Sequence, residues 1–199
     1  ETFRNCEQLK TFYIGKAFRG KINYGEEGDP DTLFLYYAPI RLIQIDKENT
    51  SYQLQNEILY TRDGHILCQA LKNDNADSQL TIPSCVTEIA DGAFYRNSEF
   101  GAIEVKGSLE RIGISAFACA DVGSFYVKGG VNYLDRGSFY QSAISEWRCH
   151  GGVKKYEKSA FQDVDATNGY AIDMNAITKL YQELLYVNAT TDLSYWVKT

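Results

Sequence analysis

Leu109-Glu-Arg-Ile112-Gly-Ile-Ser-Ala116-Phe117 is one of four copies of a single pattern. The others are Val86-Thr-Glu-Ile89-Ala-Asp-Gly-Ala93-Phe94, Val131-Asn-Tyr-Leu134-Asp-Arg-Gly-Ser138-Phe139 and Val153-Lys-Lys-Tyr156-Glu-Lys-Ser-Ala160-Phe161. Phe94, Phe117, Phe139 and Phe161 step by 23, 22 and 22 residues. A fixed period in this range marks a solenoid, whose single unit is too small to bury its own apolar face. Such a chain presents a surface rather than enclosing an active site, which points towards binding.

Upstream of each copy runs a short alternating segment: Leu80-Thr81-Ile82-Pro83, Ile103-Glu104-Val105-Lys106, Phe125-Tyr126-Val127-Lys128 and Trp147-Arg148-Cys149-His150. Period-two alternation predicts a strand with one face inward. Leu80, Ile103, Phe125 and Trp147 form one inward column, and Ile82, Val105, Val127 and Cys149 the next. Gly107, Gly129 and Gly151 follow as turn residues. A second short extended piece runs from Val86, Leu109, Val131 and Val153 to Ile89, Ile112, Leu134 and Tyr156, and the Ala-Phe pair then opens a turn or short helix. Residues 15–42 fit the period poorly, with a polar loop over Tyr24–Asp31 and an apolar run over Leu33–Tyr37. Asp63-Gly64 reads as a two-residue hairpin turn with positive φ at both positions. Ile177, Leu180, Tyr181, Leu184 and Leu185 lie at helical spacing, so a terminal helix is expected to shield the open end.

The composition is that of a globular chain: 44% hydrophobic and 23% charged residues in 199. No run reaches the roughly 18 apolar residues that span a membrane. The opening Glu1-Thr-Phe3-Arg-Asn-Cys6 reads as the middle of a repeat, so a trimmed or mature fragment is expected. A net charge of −6 and a pI near 5.0 argue against general nucleic-acid binding, which needs a basic stripe. Five cysteines without a CxxC pair imply neither a disulfide framework nor a zinc site, and read as small buried hydrophobes.

The units resemble the BspA-like leucine-rich-repeat family, whose repeats run as strand, Ile-Pro, Val-x-x-Ile, then Ala-Phe and a Cys or Asn. The match is good over residues 80–164 and extends to Phe3, Cys6, Leu9, Phe12 and Ile14. Residues 45–52 and 58–67 resemble the hairpin-bearing extended piece of many members. Ser138, Tyr156 and Trp147 depart from the pattern. The resemblance implies an α/β repeat fold: a leucine-rich-repeat solenoid with short parallel strands, short helical turns, an inserted hairpin and a C-terminal capping helix. The solenoid is placed at 1–168, with an irregular hairpin-bearing coil at 15–75, and the cap at 169–199. The family also implies a secreted or cell-surface location and, for some members, adhesion to extracellular matrix.

Candidate chemistry is sparse. His65 and His150 stand 85 positions apart without HExxH spacing or a nucleophile partner. Gly15-Lys-Ala-Phe-Arg-Gly20-Lys21 lacks the Ser or Thr of a phosphate loop, and Asn73–Ser78 lacks the Gly and closing Glu of a calcium loop. Asn49-Thr-Ser51 and Asn188-Ala-Thr190 match the glycosylation pattern. Glu104 and Glu146 are too far apart for the paired carboxylates of a retaining glycosidase. No cofactor or metal is expected.

The outward columns carry more. Alternation sets Thr81, Glu104, Tyr126 and Arg148 side by side, with Pro83, Lys106, Lys128 and His150 beside them. Lys106, Lys128 and Arg148 would cluster positive charge on an acidic protein. Tyr and Arg are frequent interface anchors. Glu104, Lys106, Tyr126, Lys128, Arg148 and His150 are therefore the expected contacts of a non-enzymatic binding face for a host extracellular-matrix protein or glycan. A carbohydrate-binding module is the alternative, with rings among the 15 tyrosines, Tyr36, Tyr37, Tyr126 and Tyr140 included, as stacking platforms; a structural spacer in a larger surface protein is another.

Overall fold

In the N-terminal half, short strands form at β1 (Thr11–Ile14), β2 (Lys21–Ile22), β3 (Thr32–Leu33), β4 (Leu42–Ile45), β5 (Tyr52–Gln55), β6 (Ile58–Thr61) and β7 (Ile66–Ala70). The repeats add two strands per coil. One wall receives β8 (Ser78–Ile82), β10 (Phe100–Val105), β12 (Asp121–Val127) and β14 (Ala143–Cys149). The other receives β9 (Glu88–Ile89), β11 (Leu109–Ile112), β13 (Val131–Leu134) and β15 (Val153–Tyr156). The structure, a computed structural model, describes Phe3 and residues 6–25, 32–35, 38–71, 78–97, 100–157 and 159–161. The expected capping helix, Asn188, Tyr36, Tyr37 and most of the Asn73–Ser78 loop lie outside the described residues.

The first wall is a parallel sheet in the order β14-β12-β10-β8. Its register pairs Leu80 with Ile103, Ile103 with Phe125 and Phe125 with Trp147, and Ile82, Val105, Val127 and Cys149 align likewise. Both inward columns are buried, as the alternation requires. The last three strands start three or four residues before the alternating runs, at Phe100, Asp121 and Ala143. The second wall joins Leu109, Val131 and Val153, and Ile112, Leu134 and Tyr156, before continuing as β15-β13-β11-β9-β7-β6-β5.

The Ala-Phe segments are turns; no helix forms among the described residues. The first three turns are each bounded by left-handed residues two before and two after the Phe: Gly92 and Arg96, Ser115 and Cys119, Gly137 and Gln141. That leaves three residues between interruptions, too few for an i→i−4 turn to propagate. The backbone bonds sideways instead, from Phe94 N–H to Ala116 C=O, Phe117 to Ser138 and Phe139 to Ala160, each at 2.7 Å. The rings then stack nearly coplanar, Phe94 on Phe117 at 4.6 Å and Phe117 on Phe139 and Phe139 on Phe161 at 5.0 Å. Gly129 has a reason beyond turning: a Cβ there would sit 2.1 Å from Ser108 Oγ and 2.8 Å from Gly107 O in the preceding coil.

Two departures from the repeat leave buried polar atoms without partners, Ser138 Oγ and Trp147 Nε1. Asn97 and Ser142, three residues after their Phe, satisfy backbone carbonyls of Leu71 and Phe139. Cys68 and Cys149 are buried, Cys6 and Cys119 half-buried, and Cys85 is exposed against the reading of all five as core residues. Burial pushes the Cys68 thiol well up.

β6 and β7 are buried on both faces, whereas β5 is exposed beyond Tyr52 and Gln53. Ile58, Tyr60, Leu67 and Ala70 join the core of the repeats, while Leu59, Cys68 and Leu71 join a second core with Ile14, Ile22, Leu35, Ile43 and Tyr52. The two-residue turn falls at Asn56 and Glu57, with φ of 49° and 61°, rather than at Asp63-Gly64. There only Gly64 is left-handed, and Asp63 Oδ1 accepts from Thr61 Oγ1 at 2.6 Å and His65 N–H at 3.0 Å. Asn49 is buried: its amide donates to Gly15 and Phe18 carbonyls and its Oδ1 accepts from Ser51 and Tyr52 N–H, so its side chain is occupied within the fold.

Candidate binding face

The outer face of the four-stranded sheet is built by the register just described. Glu104 pairs with Thr81 on one side and Tyr126 on the other, and Tyr126 with Arg148. The ladder continues past the strands through Lys106 N–H to Ile82 C=O, Lys128 to Val105 and His150 to Val127, each at 3.0 Å. All six expected residues, Glu104, Lys106, Tyr126, Lys128, Arg148 and His150, therefore share one face across three adjacent strands. The Tyr126 and His150 rings meet edge to face at 6.4 Å.

The expected positive cluster is partly neutralised. Glu104 pairs with Lys106 and, at 3.3 Å, with Lys128, and these cations hold its carboxyl below the usual range. Arg148 pairs with Glu146. Three cations against two carboxylates leave a net charge of +1, because residues two apart on one strand share a face and place acid beside base. The Arg148 side chain remains the most open of these at 59%. Glu104 and Glu146 are each engaged by cations and do not converge.

The opposite wall holds a network absent from the sequence reading. Arg111 on β11 reaches Glu88 at 2.9 Å, Asp91 at 2.5 Å and Asp135 at 2.9 Å. Asp91 Oδ1 also accepts from Ile114 N–H at 2.8 Å. A Cβ on Gly113 would lie 2.4 Å from that oxygen. Burial beside a second carboxylate, Asp135, pushes Asp91 up to about 6 against the pull of Arg111. One coil on, Tyr133 Oη donates to Glu157 at 2.7 Å, raising Tyr133 to about 12, and Lys155 lies 4.9 Å over its ring. The signal was the paired middle positions of Val-x-x-Ile, where Glu88, Arg111, Tyr133 and Lys155 stand in register. These bonds clamp neighbouring coils.

Among the described residues the tyrosines form no exposed row. Tyr13, on β1 and bonded to Asp46 at 3.0 Å, is 59% exposed, whereas Tyr52 and Tyr60 are buried and Tyr126 and Tyr140 partly covered. His65 is exposed on its turn, and the two histidines lie on different walls.

The family model for the BspA type leucine rich repeat region matches residues 64–168 in six copies, more than half of the chain. Among solved structures, the crystal structure of the pneumococcal vaccine antigen PcpA is similar at a TM-score of 0.55 and 16% identity. The similarity covers 87% of this chain and 53% of the antigen, so the chain spans about half the antigen's length. No curated protein matches the sequence.

Proposed function

Since the chain belongs to the BspA type leucine-rich-repeat family, we propose that it is a non-enzymatic binding protein, secreted or held at the cell surface, that engages its partner through the open face of the four-stranded sheet. The observation that carries this reading is the parallel register itself. It brings Glu104, Lys106, Tyr126, Lys128, Arg148 and His150 onto one rigid surface while the opposite sides of the same strands are buried. Mixed charges beside an aromatic ring suit a polar, protein-like partner. A fold shared with a vaccine antigen supports an exposed location. The partner class is a host extracellular-matrix protein, with a matrix glycan second, since no stacking row of exposed tyrosines forms among the described residues.

The test is binding of the purified protein to a panel of matrix proteins and glycans, beside a Lys106→Ala/Lys128→Ala/Arg148→Ala variant matched for stability. Loss of binding by at least tenfold in the variant is expected. Binding that survives unchanged would remove the sheet face as the site, and no binding anywhere on the panel would favour a spacer.

A further inference from the structure

The four-stranded sheet stops at β8, although the opposite wall continues through β9 into the hairpin. Ile82 C=O accepts from Lys106 N–H. Leu80 and Ile82 therefore turn their backbone groups towards β10, and alternation turns those of Gln79 and Thr81 away from it. Among the described residues nothing bonds to these outward N–H and C=O groups. They look into a groove of about 450 Å³, within the range of ligand clefts. Its far wall is the hairpin tip, Asn56 and Glu57, and apolar side chains of Ile58, Leu71, Leu80 and Phe100 line it. The tip is held in place by Glu57 C=O, which accepts from Leu71 N–H at 2.9 Å. It also carries strain, because Glu57 occupies a left-handed φ that Gly would adopt freely.

We propose that this groove takes an extended peptide that pairs with Gln79 and Thr81 as a fifth strand of the sheet. A peptide backbone repeats its bonding groups every second residue, about 6.6 Å, and so matches the spacing of the two free positions. Its alternate apolar side chains would pack against the groove's least covered apolar residues, Leu80 and Phe100. Basic residues between them would answer Glu57 and the net charge of −6. The site is separate from the six residues of the sheet face.

The test is selection of a phage-displayed library of random dodecapeptides on the wild-type protein, with counter-selection on Thr81→Pro. Proline removes the outward N–H and leaves the β10 ladder intact, a position where edge strands accept it. Gln79→Pro repeats the test one pair earlier, and unfolding midpoints verify both folds. Enriched peptides are expected to alternate apolar and polar residues. Their binding should weaken about tenfold in either proline variant and on N-methylation of alternate peptide residues. The Lys106→Ala/Lys128→Ala/Arg148→Ala variant should bind them normally. No enrichment over Thr81→Pro, equal binding by N-methylated peptides, or loss in the triple variant would each overturn the proposal.

Discussion

Phe117 lies between Phe94 and Phe139 at 4.6 and 5.0 Å, each ring meeting its own counterpart one coil away. Asn23, in the N-terminal half, is held by bonds that the period does not repeat: its amide donates to Cys68 C=O at 3.0 Å and Gln69 Oε1 at 2.7 Å, and its Oδ1 accepts from Leu35 N–H at 2.6 Å. The repeats thus gain specificity from a register that satisfies backbone and core together. The N-terminal half, where β1 pairs only with β4 and β2 only with β3, relies on buried polar side chains such as Asn23, Asn49 and Gln69. A repeated core needs few residue types, and a bespoke core needs polar groups with single correct partners.

The largest effect is expected where the ring stack is interrupted. Phe117→Ala should cost roughly 3–5 kcal/mol, read by chemical denaturation; an unchanged midpoint would break the comparison at its strongest point. Next comes the joint between the halves, where Asp91 N–H donates to Asn23 C=O at 2.7 Å. Folding raises Asp91 from its usual 3.8 to about 6. The folded chain therefore holds a proton that the unfolded chain releases, and stability should fall as pH rises from about 4 to 6, by up to about 3 kcal/mol. That part of the pH dependence should vanish in Asp91→Asn; a variant that keeps it would show that Asp91 does not hold the proton. Smallest is Asn23→Ala, about 2 kcal/mol from stranded partners. Amide exchange should quicken at Leu35 and stay unchanged at Ile103 and Phe125. Equal quickening in both would show that the halves unfold as one unit.

The six residues of the candidate face were legible as neighbours because side-chain alternation and a 22-residue period are properties of the chain itself. The pairing between strands was not, since Glu104 also reaches Lys128 across a strand boundary. Nor was the Arg111 network, which joins residues 20 to 24 apart through three coils.

By itself, the sequence determined the repeat, both walls and the inward columns that begin at Leu80, Ile82, Val86, Ile89 and Phe94, through covalent spacing that admits one register. Tertiary structure decided the rest. Left-handed residues and sideways bonds to the next coil made turns of the Ala-Phe segments. Burial on both faces fixed β6 and β7, and the pairing of Gln55 with Ile58 set the two-residue turn at Asn56 and Glu57. Pairing of β7 with β9 extended one wall and left β8 as the edge of the other. Each of these outcomes depends on the free energy of contacts between distant segments, which no local pattern encodes.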